Sequence, residues 1–571
     1  MYRLLLAVLL PLLLSAVDLP TGKWEGTLAG SLRLILNLQD KGSVLTSVDQ
    51  GNSDLTIDTM EWKPDGSLSF EAKQYGISWQ GKLNAAGDAL EGTFTQGAAK
   101  LPLTFKRPGR APEHTLTAIT RGKMTLEPCW AGRGYTKEAY CGKLEVFENR
   151  AAKSGRKIAL SVMILPSKST TPLPDPVVAI AGGPGQSSVE AFPAASVFNE
   201  LRKTRDVVLT DQRGTGGSNP LPCAFTAPTH PETYFAPLMP EDKVRTCLAE
   251  LEKKADLKLY TTSIAMDDLE DIRQALGYDQ INLYGGSYGT RAALVYLRQH
   301  EKHVRTVTIK GVAPPGYRLP ISLGPAIQES LIALFTDCAA DTKCSEAYPK
   351  LREEFEGVLK ALDEKPAEIV VNGAPATIVR GVFVDRLRQI LYIPETASMS
   401  PAMIHEAAKG DFSRFSKLVV LLSRQTDDQV ARGMFMSVIC SEDMPYLKPD
   451  EIRRNIEGTY LGDYRWRQHE KACSLWPKAK IPRSYLDPIA SAKPVLMISG
   501  DEDPATPTRV ATEAARRLTN SRNVAIRYGT HGTASPCIDK LTVEFIEAGT
   551  HKDLDSSCTA QIRRPPFLIA K

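Results

Sequence analysis

The chain has 571 residues, too many for one hydrophobic core, so about two to four compact units are expected. Apolar residues make up 42% and charged residues 24%, an ordinary globular balance that excludes a disordered or collagen-like chain. The net charge of +4 comes from 70 basic and 66 acidic residues spread along the sequence. No long basic run stands out, which argues against a nucleic-acid partner.

Met1-Tyr2-Arg3 is a short basic start, followed by an apolar run from Leu4 to Leu14 and small residues at Ser15-Ala16. This is the layout of a secretory signal peptide with a mature start near Val17; about 11 apolar residues are too few to span a bilayer. No later stretch approaches the roughly 20 apolar residues of a membrane helix, so no transmembrane segment is expected.

From Leu19 to Lys106 the chain reads as short strands. Leu32, Leu34, Leu36 and Leu38 alternate with other residues, the period of a strand with one buried face. Turn signals recur, as at Pro64-Asp65-Gly66 and Ala86-Gly87-Asp88, and about eight strands predict a small antiparallel barrel or sandwich. Its function is not legible in the residues; a structural or partner-binding accessory, with an unknown partner, is expected over a ligand-binding barrel. Lys106 to Pro112, rich in Pro, Gly and charge, reads as a linker.

Beyond the linker, buried-strand runs appear at Val177 to Ala181, Val207 to Thr210, Ile281 to Tyr284, Val304 to Lys310, Val495 to Ser499 and Val524 to Tyr528. Helical stretches separate several of them, which predicts a parallel sheet flanked by helices. Met266, Leu269, Ile272 and Leu276 recur at helical spacing and predict a helix packed on that sheet. Between Pro315 and Lys493 the strand pattern lapses. Segments such as Ala326 to Thr336, Lys350 to Leu362 and Phe412 to Arg424 read as helices, which predicts a helical insertion.

Ten cysteines lie in near-neighbour pairs: Cys129 and Cys141, Cys223 and Cys247, Cys338 and Cys344, Cys440 and Cys473, Cys537 and Cys558. An even number in an exported chain predicts disulfides, and pairing of neighbours is the simplest of several possible connectivities. No cysteine pair has zinc-ligand spacing and no HExxH occurs, so no metal is expected.

Gly285-Gly286-Ser287-Tyr288-Gly289 follows one predicted strand and opens the helix-like run Thr290 to Leu297. G-x-S-x-G in that context is a nucleophile elbow: a tight strand-to-helix turn that lifts the serine hydroxyl above the sheet. Such a serine needs a base and an orienting acid later in the chain. His531, in Tyr528-Gly529-Thr530-His531-Gly532 after the last strand, is the base, with His551 as its rival. Gly500-Asp501-Glu502-Asp503-Pro504 follows the preceding strand; Asp503 is preferred because Pro504 fixes its turn, and Asp501 is the alternative. Oxyanion donors are expected at the backbone N–H of Tyr288 and in Gly182-Gly183-Pro184-Gly185, where glycines let the backbone approach substrate. Asp211-Gln212-Arg213-Gly214 lacks the ending of a phosphate loop and reads as a structural turn.

Taken in order, Cys129 to Cys141 with its Gly142 to Val146 strand, Gly182 to Gly185, Asp211 to Gly214, Gly286 to Gly289, Gly500 to Pro507 and His531-Gly532 resemble the tripeptidyl aminopeptidase and proline iminopeptidase group of α/β-hydrolases. The resemblance runs from about Cys129 to Cys558. It implies an α/β-hydrolase sheet with a helical cap, the triad Ser287, Asp503 and His531, no cofactor, and a peptide substrate with a free N-terminus. It also implies a cap carboxylate for the substrate ammonium, for which Glu442 in Cys440-Ser441-Glu442-Asp443 is the candidate. Gln186 and Thr530 depart from glycines common in the group. The expected division is a signal peptide (1–16), a small all-β domain (18–106), a linker (107–119), a first core segment (120–314), the cap (315–493) and a second core segment (494–571). The expected function is an exported, periplasmic or extracellular serine exopeptidase releasing short peptides or single residues such as proline. A carboxylic-ester hydrolase with the same triad and a non-catalytic binding protein are the alternatives.

Overall fold

The computed structural model describes residues 19–28, 32–39, 42–47, 53–96, 99–107, 116–131, 137–193, 195–227, 229–426 and 429–569. The signal-peptide segment and most of the linker lie outside them. The chain separates into two compact units, Met1–Glu113 and His114–Lys571.

The first unit is one nine-stranded antiparallel sheet. Its two meanders meet where Gly22–Leu28 pairs with Ala99–Lys106. The end strands Ser53–Thr56 and Thr59–Trp62 belong to opposite edges. Only two residues separate these strands, so the sheet curls to bring its edges together as a half-barrel, in keeping with the antiparallel barrel expected. Leu34, Leu36 and Leu38 face one side together, as their alternation requires. They join Trp24, Phe70, Trp79 and Phe105 in a single core. A Cβ on Gly81 or Gly92 would collide with the Trp79 ring, so these glycines give the indole its room.

The second unit holds a ten-stranded sheet. It begins with an antiparallel run from Ile119–Arg121 to Lys157–Leu165. Val207–Thr210, Val177–Ile180, Ile281–Gly286, Val304–Lys310, Val495–Gly500 and Ser521–Ile526 then lie side by side in parallel. Val177–Ile180, Val207–Thr210 and Val495–Gly500 are buried at every residue, which is why they read as continuous apolar runs. Val178 and Ile180 pack under the helices Thr262–Leu276 and Tyr288–His300. Val177 and Ala179 pack toward Ser196–Leu201 and Pro536–Ala548. The last strand ends at Ile526 rather than Tyr528.

The strand Val177–Ile180 is followed by Val207–Thr210 on one side, and the chain then returns to place Ile281–Gly286 on its other side. That reversal opens a crevice at the carboxyl ends of the two strands. The insertion after Val304–Lys310 carries Leu323–Ala340, Leu351–Glu364, Arg380–Ile390, Ser413–Thr426, Arg432–Val438 and Tyr464–Leu475 as helices. The first four share one apolar core, whereas Arg432–Val438 and Tyr464–Leu475 pack in a second one with Leu221, Leu251 and Tyr288. A hairpin of Ala367–Val371 and Ala374–Ile378 interrupts them, so the insertion is not wholly helical. All ten cysteines form the five neighbour pairs expected.

Candidate active site

Ser287 sits between the strand Ile281–Gly286 and the helix Tyr288–His300, with φ 54° and ψ −125°. This conformation is unfavourable for a non-glycine residue and needs surrounding support. Ser287 N–H donates to the Lys310 carbonyl at 2.9 Å, and Thr290 Oγ1 donates to the Ser287 carbonyl at 2.6 Å. A Cβ at Gly285 would lie 2.5 Å from the Gly289 carbonyl oxygen, and one at Gly289 would collide with that of Ile180. Gly286 faces open space, so the outer two glycines are the ones the turn requires.

His531 is held from two sides. Its Nδ1 lies 2.8 Å from Asp503 Oδ2, which fixes the ring and leaves Nε2 as the other nitrogen. Asp503 Oδ1 also accepts from the Ala505 and Thr506 N–H groups at 2.8 and 2.9 Å, while Thr506 Oγ1 donates to Oδ2 at 2.7 Å. Burial raises the Asp503 pKa, but the adjoining His531 and these donors outweigh it and hold the carboxyl below its ordinary value. Asp503 stays ionised. Of the neighbouring acids, Asp501 is exposed and accepts from Thr508. Glu502 is turned toward Arg564 and Asp337, and burial together with Asp337 pushes its pKa up to about 8. His551 lies past the helix Pro536–Ala548 and does not line the cavity.

Ser287 and His531 line one cavity of about 270 Å³, with Gly183, Tyr288 and a wall of insertion residues that includes Arg388, Tyr392, Arg432 and Arg465. Tyr288 begins its helix, so its N–H is among those with no partner in the preceding turn. The Gly182 Cα lies beside the nucleophile: a Cβ there would be 3.2 Å from Ser287 Cβ. Gly183 has φ 108°, a conformation that favours glycine. The loop they form is fastened by Asp211, which accepts from Ser187 Oγ at 2.7 Å and from the Val189 and Gly217 N–H groups at 3.2 and 2.9 Å. Arg213 is fully buried and bonds Asp268 through two nitrogens at 2.6 and 2.9 Å. The Asp211 to Gly214 segment is thus a buried brace under the site.

Glu442 stands outside the cavity lining. It lies in a π-helical turn, Ile439–Asp443, with no exposure, and it does not line the cavity. Its oxygens accept from Thr262 N–H at 2.6 Å, Thr262 Oγ1 at 2.8 Å and the Tyr485 hydroxyl. Arg291 lies 3.8 Å away and pairs with Asp443 at 3.1 Å. Burial raises the pKa of both acids, that of Asp443 to about 6, against the opposing pull of Arg291. A carboxylate satisfied in this way supports the Tyr288 helix from beneath, since Thr262 Oγ1 also bonds the Tyr288 hydroxyl at 2.8 Å.

One participant carried no readable sequence signal. Tyr392 of the insertion places its ring against His531, with centroids 4.7 Å apart. Its carbonyl accepts from Thr530 Oγ1 and Gly532 N–H, both at 2.7 Å. Thr530, a departure from the group's glycine, thereby ties the histidine loop to the insertion. Gln186, the other departure, lines the cavity and bridges to Val430. Among the described residues no cluster of His, Cys, Asp and Glu could hold a metal ion.

A family profile described as alpha/beta hydrolase fold matches residues 175–328, and one described as TAP-like protein matches residues 459–558. Serine protease Hip1 of Mycobacterium tuberculosis (strain ATCC 25618 / H37Rv) is 24% identical over 468 residues, covering 74% of this chain and 87% of that protein. The tripeptidyl aminopeptidase of Streptomyces lividans is 22% identical over 540 residues, covering 83% of this chain and 96% of that protein. Carboxylesterase B of Mycobacterium tuberculosis (strain CDC 1551 / Oshkosh) is 24% identical over 486 residues, covering 77% and 90%. With these likenesses and the elbow geometry together, the chain is a serine hydrolase of the α/β-hydrolase fold that resembles the tripeptidyl aminopeptidases.

Proposed function

We propose that this chain is an exported serine peptidase that releases short peptides from free N-termini through an acyl-enzyme on Ser287. The observation that carries the reading is the Asp503–His531 hydrogen bond at a cavity that His531 shares with an elbow serine. His531 Nε2 takes the Ser287 Oγ proton as the oxygen attacks the carbonyl, and Asp503 stabilises the resulting imidazolium. The oxyanion rests on the N–H groups of Tyr288 and Gly183. His531 returns the proton to the leaving amine, the acyl-enzyme forms, and water repeats the cycle in reverse roles.

A cavity bounded by the insertion suits a short acyl segment, whereas an endopeptidase needs a cleft open at both ends. Release of single residues would place the ammonium close to the scissile carbonyl and demand a carboxylate in the cavity wall. Among the described lining residues there is none. The tripeptidyl aminopeptidase likeness favours short peptides over single residues such as proline. A second reading is a carboxylic-ester hydrolase with the same three groups, for which Carboxylesterase B is a relative.

The five disulfides fit an exported protein, and with the N-terminal signal layout they support a periplasmic or extracellular location. No described helix is long and apolar enough to cross a membrane. The test is hydrolysis of matched chromogenic peptide amides, free or acetylated at the N-terminus, by wild type and Ser287→Ala. Cleavage of the free series alone, lost in the variant, is the expected result. Cleavage of neither series with turnover of simple esters would replace the peptidase reading by the esterase one.

A further inference from the structure

Gln186 follows the glycine loop and shares the lining of the cavity with Ser287, Tyr288, Gly183 and His531. It is half-buried. Among the described residues its carboxamide has no hydrogen-bond partner.

The backbone that carries this side chain is fastened on both sides. Gln186 N–H donates to the Gly182 carbonyl at 3.2 Å, which closes a tight turn, and Ala431 N–H donates to the Gly185 carbonyl at 2.9 Å. Gln186 itself forms an antiparallel bridge with Val430. The hydroxyl of Ser187, the next residue, is held by Asp211 at 2.7 Å. Only the side-chain torsions of Gln186 are left to be ordered when a partner arrives.

The turn folds the carboxamide over Gly182 and toward the elbow. A Cβ on Gly182 would lie 3.1 Å from Gln186 Oε1 and 3.2 Å from both Ser287 Cβ and the Gly286 carbonyl oxygen. The amide and the nucleophile thus border the same small space. The two arms of a carboxamide differ little in shape, and a half-turn about the last side-chain bond exchanges oxygen for nitrogen. A partner that needs a donor therefore meets Nε2 where Oε1 stands.

Substrate entering the cavity displaces solvent from this amide, and a polar group left without a partner costs about 1–3 kcal/mol. The substrate must supply the partner. Ser287 attacks a carbonyl carbon, so the carbonyl oxygen is the acceptor brought to this space, and it gains negative charge as the new bond forms. We propose that the Gln186 carboxamide is a third donor to the oxyanion, added to the N–H groups of Tyr288 and Gly183. The inference rests on Ser287 being the nucleophile and holds for a peptide and an ester alike.

The test is the kinetics of Gln186→Met and Gln186→Glu on whichever substrate the wild type turns over, peptide anilide or p-nitrophenyl ester. Met keeps the length and loses the donor; Glu keeps the outline and puts an acceptor where the donor stood. A fall in kcat of about 10- to 100-fold is expected for Met, with KM within about twofold, and a larger fall for Glu. Phenylboronic acid, which forms a tetrahedral adduct on the serine, should lose affinity in parallel with kcat/KM. Denaturant midpoints control for folding, and if one variant does not fold the other decides. An unchanged kcat, or a higher KM with kcat kept, overturns the proposal. A Glu variant as active as wild type also overturns it, since only the outline of the side chain would then matter.

If the wild type turns over neither substrate, the peptidase reading fails, and the donor is tested on the rate at which a fluorophosphonate labels Ser287. There Oγ displaces fluoride from phosphorus, and the phosphoryl oxygen takes the place of the oxyanion. Labelling of Gln186→Met slower by about tenfold or more is expected; equal rates overturn the donor alone. A wild type that is not labelled overturns the nucleophile and the donor together.

Discussion

The ring of Tyr392 lies 4.7 Å from the imidazole of His531, centroid to centroid, at an interplanar angle of 37°. One residue of the insertion thereby rests on the base of the core. The two segments meet a second time at the Tyr392 carbonyl, which receives hydrogen bonds from Thr530 Oγ1 and Gly532 N–H. The position of the histidine loop depends on the insertion as well as on the sheet.

Thr530→Val should test that dependence. The substitution keeps the shape and removes a hydrogen bond of about 1 kcal/mol. We expect kcat to fall by roughly fivefold, with little change in unfolding temperature. An unchanged kcat would mean that the loop holds its histidine without the insertion.

Ser287→Ala and His531→Ala should each lower kcat by about four to six orders of magnitude, and the double variant should lose little more, because the groups act as a unit. Asp503→Asn should cost about 10⁴-fold by favouring the wrong imidazole tautomer. Turnover surviving Ser287→Ala would remove the serine from the mechanism.

Gly289→Ala should unfold more readily than Ser287→Ala, although it changes no reacting group. The added Cβ meets the Ile180 carbonyl oxygen, which is backbone and has little freedom to move. A loss of about 1–3 kcal/mol is expected, read as a lower denaturant midpoint.

Glu442→Gln should slow free-amine peptides, blocked peptides and esters alike, because Glu442 supports the Thr262 and Tyr288 contacts from outside the cavity. Disturbing a buried group that accepts three hydrogen bonds should destabilise the chain by about 1–3 kcal/mol. A rise in KM confined to free-amine substrates would return Glu442 to an ammonium-binding role.

His469 has its pKa lowered from the ordinary 6.5 to about 3, first by burial and then by Arg465. The unfolded chain binds a proton in that interval and the folded chain does not. His469 therefore makes stability fall as pH drops below 6.5, by up to about 1.4 kcal/mol per pH unit. Denaturation curves of wild type and His469→Gln at pH 7 and pH 5 should show a smaller acid loss in the variant. Equal losses would assign the acid sensitivity to other groups.

Local sequence determined the strands of the parallel sheet, the five disulfide pairs and the elbow, because each depends on neighbours along the chain. A strand buried on both faces must be apolar throughout, as Val207–Thr210 is. A tight strand-to-helix turn must have glycine where a Cβ would strike backbone, as at Gly285 and Gly289. The order of Ser287, Asp503 and His531 after successive strands was legible for the same reason: a parallel sheet brings the ends of its strands to one edge. Tertiary structure alone decided the rest. Glu442 reads as a cap carboxylate for a substrate ammonium, but Thr262 and Tyr485 lie 180 and 43 residues away in sequence, and only packing brings them onto its oxygens. Arg388, Arg432 and Arg465 are unremarkable on their separate helices. Only packing brings them together, because three helices of the insertion turn those positions onto the same cavity, a convergence that no local periodicity encodes.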